Sequence, residues 1–70
     1  MFLNRKYQKP KVITHDVEFH TAALNKQVVA VYMKTNLELI EHDGLIEDIS
    51  ADAIKIKGNY FMRENCEFWI

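Results

Sequence analysis

The side chains of this chain that could do chemistry are three histidines (His15, His20, His42), one cysteine (Cys66) and ten carboxylates. Their spacing is poor for catalysis. His15 and His20 are five positions apart, so they fall on opposite faces of a strand and roughly 140° apart around a helix. The triplet Glu41-His42-Asp43 offers metal-ligating types, but adjacent strand residues point away from one another, and a metal site needs ligands that converge with a supporting shell. Cys66 would become a nucleophile only with a histidine beside it to lower its pKa. It stands instead in an alternating apolar row with Phe68 and Ile70, which reads as core. Glu47 and Asp48 are neighbours on an acidic stretch rather than a matched acid and base. With Gly44 and Gly58 as the two glycines, no glycine-rich phosphate loop can form. The expectation is a protein that is not an enzyme and carries no metal and no cofactor.

The aromatic residues are more informative. Tyr60, Phe61, Phe68 and Trp69 crowd the end of the chain, and Tyr32 lies in an apolar strand. A domain of 70 residues has room inside for few of these rings, so some should be exposed. Tyr32, Tyr60, Phe61, Phe68 and Trp69 are therefore candidates for a protein interface. Base stacking on single-stranded RNA or DNA is the alternative, with Arg5, Lys6, Lys9, Lys11 and Arg63 as backbone contacts. Few basic residues interleave with the rings, which favours protein over nucleic acid.

Charge is unevenly spread although the net is only −1. The four basic residues before Val12 have no acid among them, whereas Glu38, Glu41, Asp43, Glu47, Asp48 and Asp52 follow one another without a Lys or Arg. This pattern suits a basic arm and an acidic patch, or charged loops that keep strand edges apart. No apolar run reaches the roughly 18 residues of a membrane span, and residues 1–6 do not read as a secretory signal. A lone cysteine suits a reducing compartment. The cytoplasm is the expected location, without membrane association.

The elements that must position these residues are mostly strands. Residues 28–33 (Val-Val-Ala-Val-Tyr-Met) are apolar on both faces: Val29, Val31 and Met33 on one, Val28, Ala30 and Tyr32 on the other. Such a strand is covered on two sides, by a core and by the N-terminal segment or a second subunit. Further strands are expected over 37–40, 45–49, 54–57, 60–63 and 66–70. Lys34-Thr35-Asn36 reads as a turn, Gly44 as a sharp bend or bulge, residues 50–53 as a reversal and Gly58-Asn59 as a hairpin turn. Residues 12–20 are ambiguous between strand and helix. The preferred reading is extended chain into Phe19, then a short helix over 21–26, with Asp16 as a helix cap in the other reading. Residues 1–11, with the single proline Pro10, read as a loose basic arm that Phe2, Leu3 and Tyr7 could pin to the body, and 12–70 as one domain.

The segments 29–36, 44–46 and 52–56 resemble the first motif of Sm and Hfq-like small barrels, and Phe61-Met62-Arg63-Glu64-Asn65-Cys66 is similar in layout to the second. The pattern also looks like other SH3-like barrels of Gram-positive bacteria and their phages, including the YolD-like group. Thr35-Asn36-Leu37 stands where Sm-like proteins usually carry Asn-Gly or Asp-Gly, and Glu64 where glycine is customary. The RNA-contacting residues of the Hfq family find no counterparts. The resemblance thus implies architecture: a mainly β, strongly bent five-stranded barrel with one short N-terminal helix. The expected role is a small interaction module that self-associates as a homo-oligomer or binds a protein through strand edges and C-terminal aromatics.

Overall fold

The computed structural model describes residues 10–70. The expectations for the arm at residues 1–9 lie outside the described residues. Among the described residues the fold is mainly β, with one helix and two small antiparallel sheets. In chain order the elements are β1 (Val12–Ile13), α1 (Asp16–Leu24), β2 (Val29–Met33), β3 (Leu39–Gly44), β4 (Ile46–Ile49), β5 (Ala53–Ile56), β6 (Asn59–Met62) and β7 (Cys66–Trp69). The first sheet has the order β1-β7-β2-β3 and the second β4-β5-β6. Among the described residues seven short strands thus replace the five expected, and they do not close into one hydrogen-bonded ring. The additional strands arise because β1 adds to the β7 edge and the bent strand divides at Leu45.

The helix starts earlier than expected. His15 is the N-cap, and the Glu18 carboxylate accepts the N–H groups of Thr14 at 2.9 Å and His15 at 3.0 Å. Those two donors lower the Glu18 pKa to about 2, with the Lys11 ammonium assisting. Asp16 therefore opens the helix rather than capping it, and strand structure stops at Ile13. Phe19 and Ala22, one turn apart, bury their side chains. At the other end the N–H of Gln27 reaches the Ala22 carbonyl and that of Lys26 the Ala23 carbonyl, with Lys26 left-handed at φ 54°. This is the usual glycine-type helix stop, made here by a lysine.

Gly44 joins the two sheets. The β2–β3 register slips twice and the β4–β5 register once, and these bulges strengthen the local twist on both sides of the glycine. Gly44 is buried against Ile56, and any Cβ there would run into the Ile56 Cγ2 methyl. Only glycine allows β3 to lie that close to β5. The hairpin between β5 and β6 turns on Lys57 (φ 53°) and Gly58 (φ 82°), one residue before the expected Gly58-Asn59. Both residues are left-handed, as a two-residue turn between twisted strands requires.

Both sheets and the helix share one core: Ile13, Phe19, Ala22, Val29, Val31, Ile54, Ile56, Cys66 and Phe68. Phe19 and Phe68 meet edge to face at 5.3 Å. Arg63 ties three segments around this core. Its guanidinium donates to the carbonyls of Ser50 (2.8 Å) and Thr14 (3.1 Å), pairs with Asp16 at 2.7 Å and lies 4.7 Å above the Phe19 ring.

Candidate protein-binding surface

The two faces of β2 have different fates. Val29 and Val31 are buried and Met33 packs against the core. On the opposite face Ala30 and Tyr32 stay partly exposed, and Val28, just before the strand, is half exposed. Ala30 lies directly across from Trp69 on β7, so the indole shares that outer face. Tyr32 and Trp69 meet edge to face with centroids 6.0 Å apart, and the indole N–H donates to Glu67 at 3.1 Å. Together with Leu37, Ile70 and Pro10 these side chains line an open groove of about 480 Å³, with Asp43 the one acid among its described lining residues.

Leu37 reaches the groove in an unusual way. It is left-handed at φ 57° and 59% exposed, held by its own N–H to the Met33 carbonyl at 2.8 Å and by the next bond, Met33 N–H to Glu38 C=O at 2.9 Å. Left-handed backbone costs an L-residue about 1–2 kcal/mol, and asparagine or glycine would normally occupy such a turn position. Here a large apolar side chain takes it and remains in solvent.

Of the five candidate interface aromatics, the structure brings Tyr32 and Trp69 together. Tyr60 stands on β6, well exposed, with the Lys55 ammonium 5.4 Å from its ring centre. Phe61 packs against the core from its rim. Phe68 is 2% exposed and belongs to the core, because β7 turns Phe68 inward and Trp69 outward. Val28, Ala30 and Leu37 were not among the candidates. The alternation of Val28, Ala30 and Tyr32 pointed to two of them, but nothing local marks Leu37.

The basic candidates are differently placed. Arg5, Lys6 and Lys9 lie outside the described residues. Lys11 pairs with Glu18 at 3.4 Å, and the Arg63 side chain is 18% exposed with its guanidinium engaged within the fold. Among the acids, Glu41 accepts from Lys57 at 3.0 Å, which lowers its pKa, and Glu47 accepts the Gly58 N–H at 3.1 Å. Among the described residues Glu38, Asp43, Asp48 and Asp52 have no lysine or arginine within ion-pair distance. Of these four acids only Asp43 lines the groove, whose other described lining residues are apolar or aromatic.

The residues with catalytic or metal-binding types are dispersed. His15 caps the helix, His20 is exposed on it, and the His42 ring contacts Asp43 at 3.2 Å in solvent. Among the described residues no three His, Cys, Asp or Glu side chains gather at one point. Cys66 is buried, and desolvation pushes its thiol pKa up against a smaller opposing pull from Lys34. Among the described residues no helix is long and apolar enough to cross a membrane. The chain was compared with protein-family models, curated proteins and solved structures, and none of these matches it.

Proposed function

We propose that this domain is a non-enzymatic interaction module that binds a protein partner in the Tyr32–Trp69 groove. The partner segment is extended and apolar, with basic residues beside its anchors. One observation carries this reading: the outer face of β2 is as apolar as its inner face, yet it lines an open groove beside a contacting pair of aromatic rings. A strand facing water on one side would carry polar residues there. Tyr and Trp are also the residues that dominate binding energy when a partner excludes water from them. The left-handed, exposed Leu37 fits the same role, since strained backbone persists where function requires it. Asp43, the one acid among the described residues lining the groove, supplies the attraction for basic flanks.

The finer architectural reading is an SH3- or Sm-type small barrel in an incompletely closed form. It is supported by the short helix before β2, the bent strand through Gly44 that serves both sheets, and the β7-β2-β3 and β4-β5-β6 orders. A reducing cytoplasmic setting agrees with the single free thiol.

A selection from a displayed library of random peptides tests the function. The immobilised full chain should enrich sequences with one or two large apolar anchors next to Lys or Arg. Val28→Lys, a half-exposed position on the groove, should abolish that enrichment while leaving the fold intact. No enrichment on the wild type, or equal enrichment on Val28→Lys, would refute the groove as a binding site.

A further inference from the structure

A second surface lies on the other sheet and is independent of the groove. We propose that two copies of this chain join through β6 in a symmetric antiparallel pair, with each Tyr60 opposite its counterpart. β6 is paired with β5 on one side and open on the other among the described residues. The remaining outer edges are guarded. β1 has two residues, β3 carries Glu41, His42 and Asp43 with a bulge, and β4 carries Glu47 and Asp48 with another. Charge, shortness and bulges are how sheets prevent edge pairing. In β6, Asn59-Tyr60-Phe61-Met62, there is no charge, no proline and no slip in register.

The hairpin geometry determines what this edge offers. A two-residue turn makes Ile56 and Asn59 the first hydrogen-bonded pair, so Asn59 and Phe61 direct their backbone groups at β5. Tyr60 and Met62 direct theirs outward. The Met62 carbonyl is taken by the Asn65 N–H at 3.1 Å, which leaves both groups of Tyr60 and the N–H of Met62 facing the open side. A two-fold axis through Tyr60 satisfies both of its groups at once, since each copy donates to and accepts from the other. The same register sets Met62 beside Gly58 of the second copy, where a Cβ would meet nothing within 4 Å. The exposed rings of Tyr60 then lie side by side, and each Lys55 ammonium sits on the far side of its own ring. Within Asn59–Met62 no charges oppose across the seam, and Lys57 and Arg63 at its ends are each paired with an acid of their own chain, Glu41 and Asp16; the outcome is one six-stranded sheet with closed symmetry.

Sedimentation equilibrium of the full chain should show a monomer–dimer equilibrium that depends on concentration. Tyr60→Lys and Tyr60→Glu each place like charges on the axis and should weaken the dimer by about tenfold or more, with circular dichroism and Trp69 fluorescence unchanged. Mixing the two variants should restore a dimer, because unlike charges then face each other. Hydrogen exchange of the wild type supplies a readout without mutation: the Tyr60 amide should gain protection as concentration rises, while the Lys57 amide does not. A wild type that stays monomeric, a mixture that stays monomeric with both variants folded, or a Tyr60 amide whose exchange ignores concentration would each overturn the proposal. Val28→Lys should leave the dimer unaffected, so loss of groove binding and loss of dimerisation are separable.

Discussion

Replacing Arg63 should nearly unfold this domain, and the size of the loss can be worked from its contacts. The guanidinium makes two charge-assisted hydrogen bonds to main-chain carbonyls, at 2.8 Å to Ser50 and 3.1 Å to Thr14. Bonds of this type contribute about 1.5 kcal/mol each at the lower end of their range. Stacking on Phe19 at 4.7 Å adds about 0.5–1 kcal/mol. The 2.7 Å pair with Asp16 adds little, about 0–1 kcal/mol, because the Asp16 side chain is 72% exposed. Arg63→Met keeps much of the stem and loses all of these contacts, so about 3.5 kcal/mol or more should disappear. A single core in a chain this small supplies roughly 3–5 kcal/mol in total. Arg63→Lys, with one compact ammonium in place of a fork, should lose about 2 kcal/mol, and Asp16→Asn under about 1 kcal/mol. Urea unfolding followed by circular dichroism reads all three. If Arg63→Met lost under about 1 kcal/mol, or Asp16→Asn lost as much as Arg63→Met, the clamp would not work through the carbonyls and the reasoning would fail.

Gly44→Ala should destabilise by about 1–3 kcal/mol, because its methyl meets Ile56 in a packed core; a thermal midpoint equal to wild type would contradict the close approach. The Glu18 pKa, lowered to about 2 in the fold from an ordinary 4.5, gives a defined acid response. Its stabilisation is fully present above pH 4.5 and is lost as pH falls through about 2, so Glu18→Gln should flatten the stability profile in that window and not above it. Cys66, buried and with a raised pKa, should react with a thiol reagent only as the domain opens, so labelling should follow urea unfolding; rapid labelling of the native protein would place the thiol at the surface.

The strands were legible wherever their alternation was local. Ile54-Lys55-Ile56 puts both isoleucines in the core as its period of two requires, and Gly44 marks the bend. The two apolar faces of residues 28–33 were equally plain, and they led to the groove. The helix start was hidden because its cap works from inside: Glu18 reaches back to Thr14 and His15, and histidine at the cap carries no strong signal. The helix stop and the β5–β6 turn were obscured because lysines, Lys26 and Lys57, hold left-handed conformations normally left to glycine or asparagine. Barrel closure depends on long-range pairing that local periodicity does not encode, and the Lys11–Ile70 and β1–β7 pairs join residues nearly a chain length apart. For the site, Phe68 and Trp69 are adjacent and similar in type. Only the β7 register against β2 decides which ring is core and which faces the groove.

The most direct measurement is an amide and indole chemical-shift titration of the 70-residue chain with a peptide selected on it. Saturable shifts confined to residues 28–32, Leu37 and the Trp69 indole, with β5 and β6 unmoved, are the predicted result. Shifts centred elsewhere, or none at saturating peptide, would contradict the account.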